Sequence, residues 1–143
     1  MTAGDIKNHN SMTISWGSMG TIWNKPIVTI YIKPIRYTHT YIDNNDIFVV
    51  SFFPNEYKKA LSIMGSRSGR DVSKDELSGL TPIEHNGATI YQEAKLTLIC
   101  KKIYENELDI NNIPKEHINT YYTKEVPHTM YIGEVIEILE NKK

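Results

Sequence analysis

A chain of 143 residues, 40% hydrophobic and 23% charged, is long enough for one domain with a real core and too apolar for a disordered tail. With 16 basic and 17 acidic side chains the formal charge is −1, so no global field recruits nucleic acid. The single cysteine, Cys100, rules out an intrachain disulfide framework and fits a reducing cytoplasm. The N-terminal residues lack the apolar core of a signal peptide, and no apolar run approaches a membrane span.

Residues 8–24 open as a polar turn. They then alternate Met12, Ile14 and Trp16 against Ser11, Thr13 and Ser15, which predicts a half-buried strand over Ser11–Trp16. A Gly-rich loop with a second tryptophan, Trp23, follows. Backbone edge, small hydroxyls and flat aromatic surface meet here, as they would in the wall of a site for a planar, polar-edged ligand. A glycine-punctuated hairpin has the same composition. Pro26–Lys33 reads as a second strand stopped by Pro34, and Thr38 is placed to cap a short helix over Thr40–Asn44. Asp46–Phe53 is a third strand, entered through Asn44-Asn45 and ended by Pro54.

Tyr57, Ala60, Leu61 and Met64 recur at helical spacing within Asn55–Met64, with Gly65 as a natural stop. Ser73-Lys74-Asp75-Glu76 matches a capping box opening a brief helix to Leu80. Glu93–Tyr104 and His128–Leu139 are long enough for two bent strands, whereas residues 108–126 read as a connecting excursion. Five or more antiparallel strands with few short helices imply a small β-barrel forming a single domain over residues 1–143.

Two loops suit an anion. Arg36, Tyr37 and Thr38 combine a guanidinium, a hydroxyl and a predicted helix start. In Gly65-Ser66-Arg67-Ser68-Gly69-Arg70-Asp71, two glycines permit a tight backbone nest and the Ser and Arg side chains supply donors. The second loop is not a phosphate-binding P-loop, because Gly69 is followed by Arg70-Asp71 rather than Lys-Ser/Thr. A helix end followed by a solvated basic loop is the plainer reading. Trp16 or Trp23 can cover a flat ring or pack in a core or an interface; Tyr37, Tyr121 and Tyr122 stand in the same position.

His128 stands at the entrance of the last strand, where an imidazole can donate to a ligand oxygen or shuttle a proton, or simply cap a strand end. Gly133 within that strand predicts a bulge or a close backbone approach. Cys100 alternates inside an apolar strand and reads as a buried, inert thiol. No Cys/His spacing matches a zinc site, and no serine sits in a nucleophile elbow.

Five segments in order, Asn10–Gly17, Lys33–Thr38, Ser51–Phe53, Gly65–Asp71 and His128–Val135, closely resemble the flavin reductase-like, FMN-binding split-barrel family, its flavoredoxin-type members in particular. The resemblance implies a six-stranded antiparallel Greek-key barrel, a homodimer and FMN near the subunit interface. It further implies that Asn10, Ser11, Met12, Thr13, Ile14 and Ser15 face the isoalloxazine edge, and that Trp16 or Trp23 flanks the ring. Arg36, Tyr37 and Thr38 would hold the phosphate or ribityl end, Ser66, Arg67, Ser68 and Arg70 would complete the phosphate pocket, and His128 would lie near the flavin or reductant.

The family's first N-terminal strand is expected to be lacking, because Met1 stands where that strand would end, directly before Thr2–Asp5. An incomplete barrel with an unpaired edge follows from that expectation. The implied function is FMN-dependent oxidoreduction, with NADH or NADPH as hydride donor. A second reading is an FMN-carrying electron-transfer protein with a redox protein partner and no nucleotide oxidation, since no Gly-x-Gly-x-x-Gly fingerprint is present. A reading of another class is a non-catalytic β-barrel binding module using Tyr and Trp as stacking platforms, which the near-neutral charge disfavours for nucleic acid.

Overall fold

The computed structural model describes residues 1–142. Its first half runs β1 (Thr2–Asp5), β2 (Asn8–Ser11), β3 (Gly17–Ile22), β4 (Lys25–Ile32), α1 (Tyr37–Asp43) and β5 (Ile47–Phe52). A 3-10 turn at Asn55–Tyr57 leads into α2 (Lys58–Ser66) and α3 (Lys74–Ser78). The remainder is β6 (Pro82–His85), β7 (Ala88–Tyr91), β8 (Leu96–Glu107), a 3-10 turn at Ile110–Asn112, α4 (Lys115–Tyr121) and β9 (Thr129–Glu140). No helix among the described residues is long and apolar enough to cross a membrane.

Seven strands form one antiparallel sheet in the order β2-β1-β5-β8-β9-β4-β3, and β6 and β7 form a separate hairpin. The outermost strands, β2 and β3, are neighbours in the chain. Laid flat, seven strands would hold their edges about 29 Å apart. The extended stretch from Ser11 to Gly17 reaches at most about 22 Å. The sheet therefore has to curl, and the short link makes it a split barrel.

Strand alternation fills the interior. Val28, Ile30 and Ile32 of β4, Phe48 and Val50 of β5, Leu98 and Cys100 of β8 and Tyr131 of β9 pack together inside. The opposite face of β5 and β8 presents Val49 and Ile99, which Ala88 and Ile90 of β7 cover. Ala60 and Met64 of α2 close on Leu80 and Tyr91. Gly133 has both predicted roles: a Cβ there would collide with the Phe48 ring and the Cys100 Cβ, and the β8–β9 register shifts beside it.

Several expectations need correction. The predicted strand over Ser11–Trp16 pairs only as far as Met12, which exchanges both backbone hydrogen bonds with Met1, and residues 13–16 become the bridge between the sheet edges. The predicted Gly-rich loop is β3, because β4 supplies a full ladder from Gly17↔Ile30 to Ile22↔Lys25. Thr38 caps nothing: the helix begins at Tyr37, three residues before the expected start, with Arg36 at its N-cap, and Thr38 is buried inside it. Ser73 occupies the N-cap of α3, but its hydroxyl makes no cap bond; Gly79, at φ 74°, closes that helix as a left-handed residue should. The excursion over 108–126 contains α4, entered through Pro114 at its N-cap.

Candidate functional site

Where the curl leaves the barrel open lies an apolar pocket of about 440 Å³. The bridge from Ser11 to Trp16 and the start of β3 form one wall, Val28–Ile30 of β4 and Val50–Phe53 form another, and Leu61, Met64 and Tyr91 close the base. Ser11, Met12, Thr13, Ile14, Ser15 and Trp16 of the sequence-derived site are thus brought into one lining. Thr13 is tied down by donating its hydroxyl to the Leu61 carbonyl at 2.5 Å, which joins the bridge to α2.

Beside this pocket the two anion-suited loops meet. Arg36 donates from Nη2 to the Gly65 carbonyl at 3.0 Å, across 29 positions of sequence. Arg70 donates to the Ile35 carbonyl at 3.3 Å, and its guanidinium lies 4.7 Å from the Tyr37 ring centre, a cation–π contact. Gly69 is where the chains touch most closely: a Cβ there would run into the Asn10 amide and the Tyr37 ring. Asn10 donates to Thr38 Oγ1 at 2.7 Å, with both residues buried.

The loop side chains divide by task. Arg36, half buried and lowered in pKa by that burial, braces the loop; Asn10 and Thr38 hold β2 to α1. Ser66 donates to the Ser62 carbonyl, and Ser68 accepts from the Arg70 amide. Arg67 and Arg70 present their charge at the surface.

The third constellation is aromatic. Trp16, half exposed, has its ring centre 5.3 Å from Tyr121 and 5.2 Å from His128. His128 is 8% exposed and pairs through Nδ1 with the Tyr122 hydroxyl at 2.7 Å. Burial lowers the His128 pKa, the nearby Lys33 charge pushes the same way, and Glu125 opposes. Burial thus favours the neutral imidazole, whose Nδ1 shares a hydrogen bond with the Tyr122 hydroxyl. Trp23 stands apart, at the turn of the β3–β4 hairpin and outside the pocket lining.

Asn10, Tyr37 and Gly69 of the sequence-derived loops line a polar pocket of about 190 Å³ together with His9, Lys74 and Asp75, which sequence reasoning missed. His9 Nε2 lies 2.8 Å from Asp75, across 66 positions. Lys74, which the capping-box reading puts on an ordinary helix start, is buried and donates to the Ser11 and Met64 carbonyls at 2.7 and 3.0 Å. Burial, with the Arg36 charge adding to it, brings its pKa down to about 8. No spacing in the sequence signals these partners. Cys100 is fully buried and its thiol is pushed up to about 12 by that burial, so it is not a nucleophile.

The profile of the family described as "Flavin reductase like domain" matches residues 1–143. Among curated protein sequences no match reaches significance. Solved structures resemble the chain at low identity. An FMN-binding protein from Thermus thermophilus with bound p-hydroxybenzaldehyde is 20% identical at a TM-score of 0.76, covering 99% of this chain and 70% of that one. A flavoredoxin from Methanosarcina acetivorans is 21% identical at a TM-score of 0.77, covering 99% and 67%. The NADH:FAD oxidoreductase SgcE6 from Streptomyces globisporus C-1027 is 19% identical at a TM-score of 0.73, covering 98% and 72%. At such identities the likeness is one of fold, and the chain spans roughly two thirds to seven tenths of these proteins.

Proposed function

This chain belongs to the flavin reductase-like domain family, and on that footing we propose that it is a single-domain FMN-binding oxidoreductase that accepts a hydride from NADH or NADPH. The observation that carries the reading is the junction of Asn10, Arg36–Thr38 and Gly65–Arg70 beside the apolar pocket. An apolar cleft adjoining a basic, hydroxyl-bearing loop junction, where Gly65 packs against Thr13, suits an amphiphilic ligand, a flat ring system with an anionic tail. The residues fit FMN in kind: small hydroxyls and backbone along Ser11–Ser15 for a ring edge, and Arg67, Ser68 and Arg70 for a phosphate.

In this reading FMN supplies the two-electron chemistry when bound, and the protein supplies binding and orientation. Arg36 braces the basic loop, Asn10 and Thr38 keep β2 against α1, and Trp16 with Tyr121 shields one side of the pocket mouth. His128, tied to Tyr122 through Nδ1, would use its other ring nitrogen to hydrogen-bond the cofactor or reductant. The proposed assembly is a homodimer whose second copy lies at the pocket mouth, and the proposed location is the cytoplasm, which suits the free thiol of Cys100.

The test is spectroscopic. Protein purified with supplemented FMN is expected to carry flavin absorption, with melting temperature rising with FMN concentration; a colourless protein with an unmoved melting temperature overturns the reading. Steady-state oxidation of NADH and NADPH by the loaded protein then separates the reductase from an FMN electron carrier. The carrier stands as the second reading, because the sequence has no dinucleotide fingerprint.

A further inference from the structure

A chain of hydrogen bonds runs between the two pockets. Tyr91 donates its hydroxyl to Asp75 Oδ1 at 2.6 Å. Its only proton is thereby committed, so Ser11, 2.8 Å away, donates to Tyr91. The Ser11 proton is committed in turn, so Thr2, also at 2.8 Å, donates to Ser11. From the other side, His9 places Nδ1 3.1 Å from the Asp5 carbonyl and Nε2 2.8 Å from Asp75 Oδ2. Both oxygens can only accept, so both ring nitrogens donate and His9 is an imidazolium. The hydroxyl protons of Thr2, Ser11 and Tyr91 therefore all run toward Asp75, as does the His9 Nε2 proton.

Ser11 and Tyr91 line the apolar pocket, and Asp75 and His9 line the polar one. We propose that Ser11, Tyr91 and Asp75 form a proton relay that carries a proton out of the apolar pocket to water in the polar pocket, with His9 as the positioning residue that keeps Asp75 ionised between transfers. The proposal rests on the reading that FMN occupies the apolar pocket. Passing two electrons from the cofactor to two equivalents of a one-electron acceptor requires a proton to leave that pocket. Ser11 Oγ takes that proton as its own moves to Tyr91; the Tyr91 proton moves to Asp75 Oδ1, and Asp75 releases it to solvent. Each group ends with the proton count it began with. Among neighbouring charges, buried Lys74 and the Glu93 carboxylate flank the relay; neither takes part in the hydrogen-bond chain.

The experiment loads the full chain with FMN, reduces it anaerobically, and mixes it with ferricyanide in weak buffer containing a pH indicator. In the wild type proton release keeps pace with flavin oxidation. In Tyr91→Phe, which keeps the ring and loses the hydroxyl, and in Asp75→Asn, proton release lags at least tenfold. Release at the wild-type rate in either variant overturns the relay, and a merely structural role would lower the melting temperature without that lag. Should the wild type not take up FMN, the proposed function fails while the relay is still read on the cofactor-free chain by NMR. The Tyr91 hydroxyl proton is expected as a downfield resonance whose shift follows Asp75 ionisation; its absence overturns the relay.

Discussion

His9 and Asp75 show how two side chains set a pH window. The hydrogen bond from His9 to Asp75 raises the His9 pKa above its ordinary 6.5 against an opposing effect of burial. Burial pushes the Asp75 carboxyl upward, but donors from His9 and Tyr91 outweigh it and hold the pKa below its ordinary 3.8. The His9 contribution to stability is complete below about pH 6.5 and is lost as pH rises through its raised folded value. The Asp75 contribution is complete above its ordinary value of 3.8 and is lost as pH falls through its lowered folded value. Melting temperature measured from pH 6 to pH 9 is therefore expected to fall more steeply for the wild type than for Asp75→Asn; parallel curves would contradict the ion pair. At the same scale, Asn10→Ala strips the buried Thr38 hydroxyl of its donor. It is expected to cost about 1–3 kcal/mol in urea unfolding and to weaken FMN binding.

Strands β9 and β4 carry the element-scale consequences. Gly133 lets β9 pass over Phe48 and Cys100 with no side chain between them. Gly133→Val forces the Phe48 ring out of the core, an overpacking cost of about 1–3 kcal/mol, read as a lower urea midpoint with an unchanged slope. The β3–β4 hairpin turns on Trp23 and Asn24 at φ 51° and 57°, a left-handed pair that a bulky side chain adopts at a cost. The double change Trp23→Asn, Asn24→Gly is expected to stabilise by about 1 kcal/mol, roughly 3 °C in melting temperature, and to leave FMN affinity as it was. A loss of affinity in that variant would return Trp23 to the ring site.

For the whole molecule, ligand linkage gives the expected size of the FMN effect: at a hundredfold excess over Kd the folded state gains about 2.7 kcal/mol. The four strands richest in branched residues, β4, β5, β8 and β9, were legible because Pro and Asn bound long apolar runs that only a sheet interior accommodates. β3 and the β6–β7 hairpin were not, since glycine dilutes the first and a hairpin of four-residue strands leaves little period to read. The site divided in the same way. The segments Asn10–Trp16, Arg36–Thr38 and Ser66–Arg70 stood out by composition and by their order along the chain, whereas Lys74 and Asp75 looked like an ordinary helix start.

By itself, then, the sequence determined the strand-rich class, the family and the chemical character of each loop, because all three reside in local composition and in collinear motifs. Only the tertiary structure decided that the Arg36 and Arg70 loops brace one another, that residues 13–16 bridge the sheet edges, and that His9 meets Asp75. The physical reason is the curl of the sheet. A short bridge between its outer strands pulls distant residues into contact, and no local preference of those residues encodes that closure.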